Sequence, residues 1–240
     1  MANPHFQNII NWAGNTVATK HKKDQPMFPP IPSDQTSYGY FNDFFTYTAT
    51  DWTVTSTDGG SDSGEVIQAT SSAGGALIVT TNDADNDSEE LQLKGEGFKL
   101  STSKRAYFSA RFKLSDATQS DMLIGLTITD TTAIDAVSDG VWFGKDDGDA
   151  NLDFVVEKNG TETESAAIAT LSDDTFVTAT WFIDPDRGSV YYSINNAEPT
   201  AVSNSNLPDD EELTVTIAIQ AGAAAAKSVV VDYVTAIIER

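Results

Sequence analysis

Between Arg105 and Leu114 the chain alternates without a break: Ala106, Phe108, Ala110, Phe112 and Leu114 on one side, Arg105, Tyr107, Ser109, Arg111 and Lys113 on the other. Successive side chains of an extended chain point to opposite faces, so this run of period two predicts a half-buried β-strand. Residues 176–183 repeat the pattern through Val177, Ala179, Trp181 and Ile183. The turn-forming run Asp184-Pro185-Asp186-Arg187-Gly188 then returns the chain through Val190, Tyr192 and Ile194, which predicts a hairpin. A second hairpin is predicted from residues 152–158 into 161 onward, with Asn159-Gly160 suited to a type I′ turn. Leu213, Val215, Ile217 and Ile219 alternate in the same way. Residues 229–238 are apolar on both faces apart from Asp232, Tyr233 and Thr235, as in a central strand. Shorter strands fit residues 52–56, 65–68, 76–80, 91–93, 124–129 and 141–144.

About a dozen short strands joined by polar turns, with no convincing helix, predict an all-β fold: an antiparallel two-sheet jelly-roll sandwich. The chain changes character near Tyr38. Residues 1–37 hold Lys20, Lys22 and Lys23 against Asp24 and Asp34, a net of +1, whereas residues 38–240 hold 11 basic and 34 acidic residues, a net of −23. Pro26, Pro29, Pro30 and Pro32 give the first segment extended polyproline character and exclude a helix there. Ahead of them, Phe6, Ile9, Ile10, Trp12 and Val17 fit one side of a short helix interrupted at Gly14. Residues 1–37 therefore read as an N-terminal arm, extended or partly helical, and residues 38–240 as the jelly-roll domain. The arm is either a disordered tail or a docking segment. A tail that only solvates has little use for Phe6, Ile9, Ile10, Trp12 and Phe28.

Charge and missing residue types narrow the chemistry. The formal net charge of −22 opposes the phosphate neutralisation that nucleic-acid binding requires and disfavours an anionic membrane surface. The chain has no cysteine, and its two histidines, His5 and His21, lie in the arm. Disulfides, thiolate zinc sites and cysteine nucleophiles are excluded, as is a histidine base inside the sandwich. The 40% hydrophobic content suffices for a core that buries roughly 70% of the unfolded surface. No apolar run approaches the ~20 residues of a membrane span. Residues 1–10 carry no Lys or Arg and no apolar stretch follows, so no secretory signal peptide is expected.

Tyr40-Phe41-Asn42-Asp43-Phe44, then Trp52, the strand Tyr107-Phe108-Ser109-Ala110-Arg111-Phe112, the hairpin from Trp181 through Asp184-Pro185-Asp186-Arg187-Gly188, and the closing Val231-Asp232-Tyr233-Val234 follow a familiar order. Over roughly residues 38–240 this order resembles the concanavalin A-like lectin/glucanase jelly roll, a group that includes laminin-G-like domains. Within the group the arm-plus-sandwich layout, the acidic domain and the Asp232-Tyr233 strand resemble capsid decoration or cement proteins of tailed bacteriophages. The resemblance speaks to fold more than to function.

Three kinds of site are open to such a fold. Glycoside hydrolysis needs two carboxyl groups at a defined separation. The glucanases of the fold carry a Glu-x-Asp-x-x-Glu strand, which is absent here, and Glu89-Glu90, Glu162-Thr163-Glu164 and Glu211-Glu212 read as solvated acidic positions. No enzyme activity is expected. Calcium is a candidate cofactor at Asp83, Asp85, Asp87 and Glu90, where alternating carboxylates begin like an EF-hand loop. The match then fails, with Ser88 in place of the invariant Gly and Lys94 in place of the bidentate Glu. A second acidic cluster holds Asp147, Asp149, Asn151 and Asp153. Carbohydrate binding points to Trp52, Trp142 and Trp181. Trp181 belongs to a clean apolar alternation and is expected in the core. Trp142 and Phe143 are neighbours on one strand and cannot face the same core, so Trp142 is the candidate exposed glycan contact.

A virion protein reconciles a surface-type fold with the lack of a signal peptide and of disulfides. The expectation is a non-enzymatic capsid decoration protein, assembled in the host cytoplasm and displayed on the capsid exterior as a homo-oligomer. Its partner would be the major capsid protein, with no nucleic acid and no membrane. Phe6, Ile9, Ile10, Trp12 and Phe28 would be buried against the shell, and Lys20, Lys22 and Lys23 would meet an acidic capsid surface. The alternative is a carbohydrate-binding jelly-roll module that adheres to host glycans.

Overall fold

A computed structural model describes residues 7–12, 15–20, 37–59, 64–69 and 73–240. In chain order the strands are β1 (Gln7–Trp12), β2 (Asn15–Lys20), β3 (Ser37–Asn42), β4 (Trp52–Thr57), β5 (Glu65–Gln68), β6 (Leu77–Thr80), β7 (Ser88–Leu93), β8 (Ala106–Leu114) and β9 (Ser120–Thr127). A one-turn helix α1 (Ala133–Ala136) precedes β10 (Gly140–Lys145), β11 (Asn151–Lys158), β12 (Thr161–Thr170), β13 (Val177–Asp184), β14 (Ser189–Ile194), β15 (Thr200–Ser203), β16 (Thr214–Ala221) and β17 (Ser228–Glu239). Among the described residues all strand pairings are antiparallel. They build a seven-stranded sheet in the order β12-β11-β10-β9-β16-β7-β4 and a second sheet in the order β15-β14-β13-β8-β17-β6-β5. On the edge of β17 away from β8, β6 pairs with Ser228 to Val231 and β3 with Val234 to Glu239.

The core lies between the sheets. Ala106, Phe108, Ala110, Phe112 and Leu114 are all buried in it, so the alternation of β8 expresses itself directly. Trp181 on β13 stacks on Phe108 with ring centroids 5.7 Å apart. Phe154 touches both Phe143 and Tyr192, at 5.1 and 5.3 Å between centroids. At the Asn159-Gly160 turn both residues have positive φ, 51° and 70°, as a type I′ turn requires.

Departures from simple alternation have physical causes. In β17, Val229 and Val231 face the core, and so do Val234, Ala236 and Ile238. Odd and even positions share a face because the pairing with β8 shifts register between Val231 and Tyr233. The extra residue, Asp232, is left to bond Arg111 at 2.6 Å, and this is how a β-bulge re-phases a strand. All eight residues of β16 are buried, and Thr180 and Phe182 of β13 are buried beside its core positions. Of the extended and partly helical readings of the arm, residues 7–12 and 15–20 take the extended one, as strands of a two-stranded sheet pairing Ile9 with Ala18 and Ile10 with Val17. Only backbone is described for these strands. Phe6, Lys22, Lys23 and Phe28 lie outside the described residues.

Candidate functional site

The seven-stranded sheet has an inner face on the core and an outer face of mixed character. Two rows of outward residues follow from the register. One runs Val155, Trp142, Gly125, Thr216, Gln92; the next runs Asp153, Gly144, Leu123, Ala218, Glu90. Trp142 is on β10, the strand next to the central β9, and is flanked along β10 by Gly140 and Gly144. A Cβ at Gly140 would stand 3.0 Å from the indole Cε3, and one at Gly144 3.1 Å from Nε1. A Cβ at Gly125 on the neighbouring strand would fall 2.4 Å from the Val141 carbonyl and 2.5 Å from Trp142 Cα. Gly140 and Gly144 leave room for the indole, which a side chain at either would crowd, and Gly125 leaves room for the backbone of β10 at Trp142.

The indole is not open to solvent. Residues 128–139, which join β9 to β10, carry α1 over the sheet and close a second hydrophobic cluster. Leu123, Val137, Trp142, Val155 and Ala218 are buried in it, with Ile128 and Ile134 packed against them. Trp142 is only 8% exposed, which corrects the expectation of an exposed glycan contact. Polar side chains of the sheet hold this cover down. The Glu90 carboxylate accepts the Ala133 and Ile134 N–H groups at 3.0 and 3.3 Å. Gln92 donates to the Ile128 carbonyl at 2.9 Å and accepts the Asp130 N–H at 3.0 Å. Burial raises the Glu90 pKa, and the charges of Asp130 and Asp135 raise it further, against the two N–H bonds.

Glu90 and Asp153, the carboxylates of the second row, do not form a hydrolytic pair. Glu90 and Asp153 end the same row four strand spacings apart, about 19 Å, against the ~5–10 Å that glycoside hydrolysis uses. Glu89 and Glu90 point to opposite faces, because they are neighbours in one strand. Glu89 is buried beside Ser56 and Gly64, and burial raises its pKa.

The proposed calcium ligands are likewise dispersed. Asp83 and Asp85 are exposed. Asp87 is buried and closes its own loop, accepting the Gly59 N–H at 2.5 Å and the Ala84 N–H at 2.8 Å. Glu90 lies under α1. The strand begins at Ser88, so alternation separates side chains that a loop would have let converge. In the second cluster Asp149 bonds the backbone and side chain of Asn151, and Asp153 accepts the Ala167 N–H at 2.5 Å. Among the described residues no group of three or more His, Cys, Asp or Glu is arranged to hold a metal ion.

Sequence reasoning missed a buried lysine at this end of the sheet. Lys145 is 2% exposed and donates to the Ser120 and Asp146 carbonyls at 2.5 and 2.7 Å. Burial lowers its pKa, opposed by the charges of Asp121, Asp149, Asp147 and Asp146. Asp121 accepts the Asp147 N–H, and burial is the main cause that pushes its pKa to about 6. The Gly140-x-Trp142-x-Gly144 spacing was the available signal for the indole's setting. Nothing local indicated that residues 128–139 would cover it.

No family profile matches the chain's sequence, and no curated protein matches it. Solved structures do match its shape. A Shewanella oneidensis MR-1 protein of unknown function is 14% identical with a TM-score of 0.60, over 89% of this chain and 90% of that one. An endo-1,3-β-glucanase from Streptomyces sioyaensis is 15% identical with a TM-score of 0.58, over 88% and 99%. Peanut lectin is 10% identical with a TM-score of 0.53, over 84% and 97%. These lectins and glucanases are jelly-roll folds of the concanavalin A-like kind, and the chain shares their antiparallel two-sheet jelly-roll sandwich. At these identities the likeness concerns the fold alone. Among the described residues no helix is long and apolar enough to cross a membrane.

Proposed function

We propose that the chain is a non-enzymatic structural protein of a virion: a capsid decoration protein with its jelly roll displayed outward and residues 1–37 docked on the major capsid protein. The observation that carries the non-enzymatic part is the outer face of the seven-stranded sheet. Residues 128–139 occupy it, Glu90 is engaged by two backbone N–H groups, and the row's carboxylates stand about 19 Å apart. The charge division supports the docking part. A near-neutral, apolar arm precedes a domain of net charge −23, which suits one end for burial and the other for solvent. The mechanism is added interface: binding the assembled shell more tightly than its separated subunits shifts the balance toward the shell by mass action. Co-sedimentation with assembled cognate capsids tests this reading. Saturable binding by the full chain, lost when residues 1–37 are removed, is the expected result; no binding by either form rejects it.

Carbohydrate binding is the second reading. It is favoured by an indole flanked by glycines on a lectin-type fold and requires the cover to move. Glycan-array binding by the intact chain, lost in Trp142→Ala, would establish it, and silence with and without calcium would remove it.

A further inference from the structure

Sheet edges are where β-proteins meet one another, because an outer strand presents unpaired N–H and C=O groups. Of the strands that end the two sheets, β12, β15 and β5 are guarded, whereas β4 and β3, which shares the edge of β17 with β6, carry no charge. The β12 edge carries Glu162 and Glu164, and its pairing with β11 shifts register between Leu152 and Phe154. β15 and β5 are only four residues long. β4 is six residues, Trp-Thr-Val-Thr-Ser-Thr, with no charge and no proline, and unlike β3, which lies end to end with β6, it has its whole sheet edge to itself. Its register with β7 runs unbroken from Trp52 to Thr57. Among the described residues β4 pairs with β7 alone. An uncharged edge of this length is conspicuous in a chain of net charge −22.

Exposed apolar side chains gather on the same side of the sandwich. β15 meets β12 at one side, which leaves β4 and β5 to form the other. Val54 of β4 is 44% exposed, Ile67 of β5 is 39% exposed and Phe45 is 71% exposed. Phe45 is held beside β5 by Gln68, whose side-chain amide donates to the Phe44 and Phe45 carbonyls.

We propose that β4 pairs antiparallel with β4 of a second copy of this chain across a two-fold axis, joining the two seven-stranded sheets into one. The sequence of the strand argues for a second copy. In the register centred on Val54, valine faces valine, Thr53 of one copy faces Thr55 of the other, and Trp52 faces Ser56. Threonine–threonine and β-branched cross-strand pairs stabilise antiparallel sheets, and like charges directly opposite destabilise them. Here Asp51 falls opposite Thr57, so no carboxylates meet head-on. A two-fold contact of one strand with itself is the isologous arrangement that closes at a dimer. The remaining repulsion between two acidic bodies is screened by salt, so association strengthens as salt rises. The interface is independent of the arm and of the capsid reading.

Sedimentation velocity on the full chain tests it, at about 0.1 mM protein in about 0.05 and 0.5 M NaCl. The expected result is a monomer–dimer equilibrium that shifts toward dimer at the higher salt. Val54→Asp sets two carboxylates against each other at the axis and weakens the dimer at least about tenfold, with far-ultraviolet circular dichroism confirming the fold. Val54→Thr keeps a β-branched pair and retains the dimer, as does Ala166→Asp on the β12 edge. Deleting residues 1–36 leaves association unchanged. A chain that stays monomeric at both salts overturns the proposal, as does a dimer indifferent to Val54→Asp in a folded variant or one lost with the arm.

Discussion

Two tryptophans reach similar burial by different routes. Trp181 is fully buried between the sheets, stacked on Phe108. Its Nε1 finds no hydrogen-bond acceptor among the described residues. Trp142 is on the outer face of the seven-stranded sheet and is 8% exposed only because residues 128–139 lie over it. The first is held by two whole sheets; the second by one connecting segment, a few apolar contacts and the Glu90 and Gln92 tethers. Burial of the same side chain is thus a property of the domain at one site and of a single loop at the other. A cooperative core and a local cover open at different free energies.

The largest effect should come from the core. Trp181→Ala removes the stacked indole and leaves a cavity between the sheets, for an expected loss of about 3–5 kcal/mol in denaturant unfolding. Gly125→Val comes next, at about 1–3 kcal/mol, because its Cβ would be forced against the Val141 carbonyl and the Trp142 backbone. If that variant matched the wild type in stability, the glycine setting of Trp142 would be wrong.

Glu90→Ala sharpens the contrast further. It frees the Ala133 and Ile134 N–H groups at an expected cost of about 1–2 kcal/mol. Hydrogen exchange should accelerate at those two amides while β8 and β13 stay protected. Uniform acceleration throughout the sandwich would mean that cover and core open as one unit.

The smallest effect has the opposite sign. Asp121 has its folded pKa raised from 3.8 to about 6, so the native state holds its proton more tightly than the unfolded chain. Its contribution is complete below pH 4 and is lost as pH rises through about 6. A shift of this size corresponds to at most about 3 kcal/mol, and partial solvent exposure reduces the expectation to ~1 kcal/mol. Asp121→Asn should therefore stabilise the protein at neutral pH and flatten the pH dependence of its unfolding between these limits. A variant less stable than wild type at neutral pH would show that the carboxylate's bond to the Asp147 N–H outweighs its burial.

Much of the fold was legible because side-chain direction in a strand is a local property. Ala106 to Leu114, Val177 to Ile183 and the Asn159-Gly160 turn each carry their own geometry in a few neighbouring residues. The central position of β17 was legible from its two-sided hydrophobicity. The alternation change around Asp232 was visible, but its resolution by a bulge depends on the pairing with β8. The site was far less legible. The acidic run from Asp83 to Glu90 looked like a ligand loop, yet the loop ends at Asp87 and the strand sends Glu89 and Glu90 to opposite faces.

By itself the sequence determined that this protein is an antiparallel jelly-roll sandwich without cysteine, with both histidines in its first residues and a strongly acidic domain. Period two, turn chemistry and charge act over a few residues or sum over the whole chain, and both are readable without coordinates. Only the tertiary structure decided that Trp142 is covered, that Glu90 holds the cover in place, and that among the described residues β4 pairs with β7 alone. Those properties depend on which distant segments come to lie against a given strand. That placement is set by sheet order and long connections, which no local pattern encodes.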